Sequence, residues 1–133
     1  MTKGLSRMAR RSHPYAHPQR PTIVLMHHHL NPLSFGRDRG GAGIKDTAAF
    51  LKVLLPRKQV KMLVVGHTHE WGTTQLEDLH YVNLPPVAYV FTAGDPVGWV
   101  DLQIQENGAT LQLRCLVISH PRHMERIELK WRS

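Results

Sequence analysis

A chain of 133 residues with 41% hydrophobic side chains fits one domain with a buried core. It contains no apolar run near the length of about 20 residues that crosses a membrane, so we expect no membrane segment. The lone Cys115 excludes an intrachain disulfide, which fits a cytoplasmic location.

The net charge of +7 is concentrated at the N-terminus. Residues 1–20 contain no acidic side chain, and their cationic ones are Lys3, Arg7, Arg10, Arg11 and Arg20. We interpret this segment as a disordered basic arm, in the simplest case a solvated tail that also carries His13 and His17. A transit peptide and a contact with nucleic acid through phosphates are the alternatives.

Two buried strands and a helix are predicted after the arm. Residues 22–26 and 60–65 are continuous apolar runs, which is the pattern of strands covered on both faces. A loop over 28–43 and a helix over 47–55 separate them, and Pro56 ends the helix. The order strand, helix, strand predicts a βαβ unit with parallel strands. The helix face expected to be buried consists of Ala48, Leu51 and Leu55.

The rest of the chain is predicted to be β-rich. The expected strands are residues 73–76, 81–84, 97–105, 110–117 and 127–131, the last as an edge strand. Asn107-Gly108, between the third and fourth of these, is a strong hairpin signal. The predicted fold class is therefore α/β, with a parallel βαβ unit followed by antiparallel strands and a β-hairpin.

Histidines follow both buried strands. Residues 27–29 are three consecutive histidines after the first strand, and Gly66-His67-Thr68-His69 follows the second. Parallel strands present their carboxyl ends at one edge of the sheet, where open α/β sheets usually keep their active sites, so we expect these imidazoles to meet there. Gly66 is expected to let the backbone turn sharply and approach a ligand closely.

Two of these motifs carry a resemblance to a known family. Met26-His27-His28-His29-Leu30-Asn31-Pro32, followed one helix and one strand later by Gly66-His67-Thr68-His69, resembles the calcineurin-like metallophosphoesterase superfamily. Val97-Gly98-Trp99-Val100 is similar to the closing strands of that family. The resemblance covers about residues 22–117. It implies that residues 21–133 are the C-terminal part of a metallophosphoesterase domain, a partial sandwich of two sheets.

The resemblance implies metal-binding roles for three histidines. By position, His27 and His67 match ligands of the family's second metal, and His69 matches a ligand of the first. The implied cofactors are divalent ions of Mn, Fe, Zn or Ni, of which the full family site holds two. The further candidates for lining the pocket or for orienting ligands are His28, His29 and Glu70. The alternative is that these histidines only end strands and bond to the backbone.

The sequence also departs from the family. The Asp-x-His, Gly-Asp-x-x-Asp and Gly-Asn-His motifs of the family's N-terminal half, which supply the bridging carboxylate, are not found ahead of the histidine motifs in this sequence. Asp38 and Glu70 are the acids nearest to the histidines, and neither is an evident bridging ligand. Two ions need carboxylate charge to offset their repulsion, so we expect one metal or none. We expect a truncated or split enzyme, with a homodimer or a missing N-terminal half covering exposed apolar surface.

Two functional classes are compatible with these observations. The first is a metal-dependent phosphoester hydrolase of phosphodiesterase or phosphatase type, or a truncated and inactive portion of one. The second is a non-catalytic metal-binding or nucleic-acid-contacting module that uses the basic arm. Metal-free acid–base catalysis by residues 27–29 has less support, because no nucleophile accompanies them and Cys115 is expected to be buried. The histidines expected at the surface are His80, His120 and His123.

Overall fold

The described part of the chain contains seven strands and one helix. The computed structural model describes residues 20–31 and 42–133, so nearly all of the basic arm, and Asp38, lie outside the described residues. The elements are β1 (Thr22–Leu25), α1 (Thr47–Leu54), β2 (Val60–Val65), β3 (Gly72–Leu76), β4 (Leu79–Asn83), β5 (Gly98–Gln105), β6 (Gly108–Cys115) and β7 (Arg126–Lys130). Within the described part, no helix is long and apolar enough to cross a membrane.

The strands form two sheets, with the orders β1-β2-β4-β3 and β5-β6-β7. β1 and β2 pair in parallel, β3 and β4 form an antiparallel hairpin, and β6 pairs antiparallel with both β5 and β7. The predicted α/β class, the parallel βαβ unit and the β5–β6 hairpin are confirmed. One pairing was not anticipated, since β4 also lies parallel to β2. The chain reverses direction after β3, and β4 then enters the sheet between β2 and β3.

The central position of β2 explains its continuous apolar run. Every residue of β2 except Lys61 is buried. Alternate side chains point to opposite faces of a strand. On one face they pack with Phe50 and Leu54 of α1, and on the other with Leu111 and Leu113 of β6. The helix and the second sheet therefore cover the two faces of the first sheet.

The most deeply buried side chains of α1 are not those of the predicted face, of which Leu51 and Leu55 are partly buried and pack against the same core. The buried side chains of α1 are Phe50, Val53 and Leu54. The helix is rotated so that Phe50 and Leu54 reach β2, and packing of this kind outweighs a weak sequence pattern. The predicted face instead lines an open groove of about 590 Å³ with Ala48, Leu51 and Leu55.

Strand β5 leaves apolar side chains in solvent. Leu102 and Ile104 pair with Leu111 and Ala109 of β6, on the face that packs against the first sheet, yet they are 39% and 62% exposed. Leu25, at the end of the edge strand β1, is 73% exposed. Among the described residues nothing pairs with the outer edge of β1, and an unpaired edge beside exposed apolar side chains favours association with another polypeptide.

Arg132 buries its guanidinium group at the C-terminal end of α1. Its side chain is 1% exposed. Carbonyl oxygens at a helix end lack partners within the helix, and a cation complements their partial negative charge. Arg132 donates to four carbonyls at 2.8 to 3.3 Å, those of Leu54, Leu55, Arg57 and Val60. Hydrogen bonds from Lys58 and Arg132 also lower the pKa of the Asp78 carboxyl to about 2.

Replacing Arg132 should therefore be costly. Arg132→Met keeps an apolar stem but leaves the buried carbonyls without a charged donor, and we expect it to lower the free energy of unfolding by roughly 3 kcal/mol. Urea denaturation followed by circular dichroism measures this change. The matched control is Arg126→Met, which removes an exposed ion pair with Glu128 and should cost less than about 0.5 kcal/mol. Equal losses in both variants would contradict the role assigned to Arg132.

Candidate functional site

Three parallel strands, β1, β2 and β4, present their carboxyl ends at one edge of the first sheet. Backbone hydrogen bonds continue between the chains just beyond the strands. The Gly66 N–H donates to the His27 carbonyl and the Leu84 N–H donates to the Val65 carbonyl, each at 2.9 Å. The loops that follow the three strands are therefore held side by side, as the sequence predicted for the first two.

His27, His28 and His67 form an imidazole cluster at this edge. His27 Nε2 and His67 Nδ1 are 3.2 Å apart. The ring centroid of His28 lies 4.4 Å from that of His67 and 5.0 Å from that of His27. His29 is buried, and its ring lies nearly parallel to that of His67 at 5.9 Å. The structure thus brings together two of the predicted ligands and both neighbouring histidines.

The environment of His67 favours its neutral form. Loss of hydration on burial is the largest cause that lowers its pKa, followed by repulsion from His28, His27, His29 and His69. A metal binds the neutral imidazole, so its ligands must lose their protons first. His67 is therefore kept in the protonation state that a ligand needs at neutral pH.

His69 packs on aromatic side chains. Its ring stacks on Phe91 with a centroid distance of 4.2 Å and an interplanar angle of 12°, and meets the Tyr89 ring edge-on at 4.7 Å. His69 Nδ1 lies 2.8 Å from the Tyr89 carbonyl oxygen. Because a carbonyl only accepts hydrogen bonds, we assign the proton to Nδ1, which leaves the lone pair on Nε2. Metal-binding histidines commonly use this arrangement.

The loop after β2 turns at the histidines themselves. His67 and His69 adopt φ angles of 71° and 56°, a left-handed conformation that costs other residues about 1 kcal/mol or more compared with glycine. Gly66 itself does not have a positive φ, so the left-handed part of the turn falls on His67 and His69, and the predicted close approach of Gly66 to a ligand stays a prediction. A Cβ atom at Gly66 would meet the His27 carbonyl oxygen at 3.6 Å, which is an ordinary contact.

Asn83, the last residue of β4, holds this strained loop. It is fully buried, and its side-chain amide donates to Thr68 Oγ1 at 2.7 Å and to the Glu70 carbonyl. Thr68 lies between the two histidines with positive φ. Sequence reasoning missed Asn83, since the only signal is a polar residue that closes an apolar strand. The parallel neighbour that gives Asn83 its role is not visible in the sequence.

The loop after β1 is held by two other contacts. The Leu30 N–H donates to Tyr81 Oη at 3.0 Å, and the Asn31 side chain makes hydrogen bonds of 3.0 and 3.1 Å with the Gly43 backbone. A Cβ atom on Gly43 would lie 2.5 Å from the His29 carbonyl oxygen. Only glycine permits this approach, so Gly43 is a second residue that sequence reasoning missed.

The remaining candidates have structural surroundings. The prediction that His80 lies at the surface is wrong, because it is buried and its Nε2 lies 2.6 Å from the Lys130 carbonyl oxygen. His120 and His123 are half-buried and bond to the backbone. Cys115 is buried as predicted, and burial raises the pKa of its thiol, which does not suit a nucleophile.

Glu70 is buried next to His69 in the chain. Its backbone carbonyl belongs to the Asn83 contact. Its predicted role in orienting His69 stays a prediction.

The donor atoms fit half of a metal site. Two imidazole nitrogens bound tetrahedrally to Zn²⁺ at about 2.0–2.1 Å lie about 3.3 Å from each other. The 3.2 Å between His27 Nε2 and His67 Nδ1 is close to that spacing. Among residues 20–31 and 42–133, however, no three His, Cys, Asp or Glu side chains are arranged to hold a metal. The 3.2 Å contact is a hydrogen bond between the two rings, so a metal would have to replace the proton that one of these nitrogens carries. The assignment of the three histidines as ligands stays a prediction.

Comparison with known proteins gives two curated relatives. No protein-family model matches the chain. A probable cyclic nucleotide phosphodiesterase of Synechococcus is 29% identical over 91 residues, which are 67% of this chain and 35% of that protein. A second one, of Psychrobacter, is 28% identical over 79 residues, 59% of this chain and 23% of that protein. The match therefore spans about a third or less of each relative's length.

A solved structure shows the fold more broadly. Vps29 of Entamoeba histolytica, crystallised as a complex with Zn²⁺, superimposes with a TM-score of 0.53 at 23% identity. The superposition covers 80% of this chain and 54% of Vps29. Together with the curated relatives, it confirms the predicted resemblance: the chain carries part of the calcineurin-like metallophosphoesterase fold.

The two glycines near the histidines should respond differently to alanine. Gly43→Ala forces a Cβ atom onto the His29 carbonyl oxygen, and we expect it to lower the free energy of unfolding by about 2 kcal/mol or more. Gly66→Ala meets only ordinary contacts and should cost less than about 1 kcal/mol. Thermal denaturation of both variants measures the difference. A larger loss in Gly66→Ala would contradict this account of the two loops.

Proposed function

We propose that this chain provides the histidine side of a metal-dependent phosphoester hydrolase of the phosphodiesterase type. The observation that carries the proposal is the meeting of His27, His28 and His67 at the carboxyl ends of parallel strands, within part of a metallophosphoesterase fold. The relatives described as probable cyclic nucleotide phosphodiesterases support phosphodiesters as the substrate class.

Each histidine receives a role from its surroundings. His27 Nε2 and His67 Nδ1 would hold one divalent ion, of Mn, Fe, Zn or Ni, and His69 would offer Nε2 from the same loop as His67. The bound ion would supply a Lewis acid that polarises a phosphoryl oxygen. His28 is exposed beside the pair and would donate a hydrogen bond to the phosphate. His29 is buried and supports His67 from one side.

We also propose that carboxylates from outside the described residues complete the centre. Residues 21–133 would then correspond to the C-terminal part of a metallophosphoesterase domain. A second copy or an N-terminal half would add to the free edge of β1 and cover Leu102 and Ile104. The partial overlap with the relatives supports this proposal, and the free, buried Cys115 supports a cytoplasmic location.

Hydrolysis by the 133-residue chain tests the proposed function. With Mn²⁺ and bis(4-nitrophenyl) phosphate we expect slow, metal-dependent turnover, because one ion on the imidazole pair lacks the completing carboxylates. His67→Ala should lower the rate more than about tenfold, since even residues that only support a ligand are worth about 10–100-fold.

The control for this experiment is His123→Ala, which removes a histidine outside the site and should retain the rate. Circular dichroism verifies that both variants are folded. Turnover that survives His67→Ala would contradict the proposal. Bound metal without any turnover would also contradict it, and would favour a non-catalytic metal-binding module or one that contacts nucleic acid through the basic arm.

A further inference from the structure

Two large aromatic side chains lie exposed beside the site. Tyr89 and Phe91, here called the aromatic ledge, are 59% and 54% exposed. Both belong to the loop that follows β4, the third parallel strand. Burial of such rings is a major source of stability, so two exposed rings in one loop suggest a ligand.

The ledge is attached to the histidines by a main-chain contact. The Tyr89 carbonyl accepts the hydrogen bond from His69 Nδ1 at 2.8 Å. The Phe91 ring stacks on the His69 ring. The Tyr89 and Phe91 rings meet at 74° with centroids 5.7 Å apart, so they form a corner. The two rings are thus the two sides of that corner.

We propose that the aromatic ledge binds the nucleobase of a nucleotide phosphodiester whose phosphate lies at the imidazole cluster. The inference rests on the proposed function and adds a substrate class to it. Phe91 and Tyr89 both contact His69, which lies in the same loop as His67 of the imidazole cluster. Aromatic side chains stack on bases of any sequence, because every base has a π-face.

The ledge suits a small planar ligand better than a protein. A specific protein interface usually buries more than about 1,000 Å², whereas the ledge consists of two side chains around one histidine. Phe91 supports the His69 ring, so its replacement would disturb the histidine as well. We assign base binding to Tyr89, because its backbone carbonyl bonds to His69 whatever its side chain is, and its ring touches His69 only by an edge contact at 4.7 Å.

The Tyr89 carbonyl and the Tyr89 ring have separate roles, so one substitution can remove the ring and keep the carbonyl. Tyr89→Ala removes the ring but keeps the carbonyl that orients His69. The probes are adenosine 3′,5′-cyclic monophosphate and the base-free cyclic phosphate of methyl riboside. Each is added to the whole chain under conditions in which it is not hydrolysed. Saturation-transfer NMR identifies which ligand protons touch the protein, and a titration gives Kd.

We expect saturation at the adenine protons and a Kd that rises roughly tenfold or more in Tyr89→Ala. Tyr89→Phe keeps the stacking face and should retain the Kd within about twofold. Val117→Ala, which shortens an exposed side chain on another loop, is the matched control and should change nothing. The base-free phosphate should bind both the parent chain and Tyr89→Ala equally.

Unchanged adenine binding in Tyr89→Ala, or equal weakening of the base-free phosphate, would overturn the inference. The readout does not depend on hydrolysis. A chain without turnover whose adenine contacts still depend on Tyr89 would contradict the proposed function and support the ledge. Turnover with no adenine contact would support the proposed function and contradict the ledge.

Discussion

The parallel pairing of β4 with β2 is the constraint on which the site depends. β1 and β2 alone would bring two histidine loops together. Because β4 runs in the same direction, its carboxyl end brings Asn83 and the loop with Tyr89 and Phe91 to the same edge. The hairpin of β3 and β4 makes this direction possible, since it reverses the chain before β4 enters the sheet. An antiparallel β4 would carry both groups to the opposite edge.

The energetics follow from this arrangement. The buried strand β2 and the cation of Arg132 stabilise the packed helix and sheets. This stability offsets the conformational cost of the loops at the carboxyl edge. His67 and His69 hold a left-handed backbone that is unfavourable for histidine, and the Asn83 amide offsets it through Thr68 and Glu70. Strain of this kind typically persists where surrounding contacts over-determine it, as at ligand sites. The imidazoles are thereby oriented before any ligand arrives.

The sequence predicts those features that depend on residues close together in the chain. The apolar run of β2, the Asn107-Gly108 hairpin and the histidines after two strands all carry local patterns, and the structure contains each of them. The orientation of α1 and the burial of His80 depend instead on packing between distant segments, so the helix face was predicted only in part and the surface position of His80 was wrong. A glycine after a strand suggests a left-handed turn at the glycine, but here the positive φ angles fall on His67 and His69. Asn83 and Tyr89 were missed because their roles arise from a strand pairing that no local pattern encodes.

The central claim is that the loops after β1 and β2 form one half-site for a metal through His27 and His67. The most direct measurement is a zinc titration of the ¹⁵N-labelled chain, followed through the imidazole nitrogen resonances. We predict that the first equivalent shifts the His27 Nε2 and His67 Nδ1 signals together and leaves the buried His80 unchanged. Equal shifts at all histidines, or movement of only one of the pair, would contradict the account.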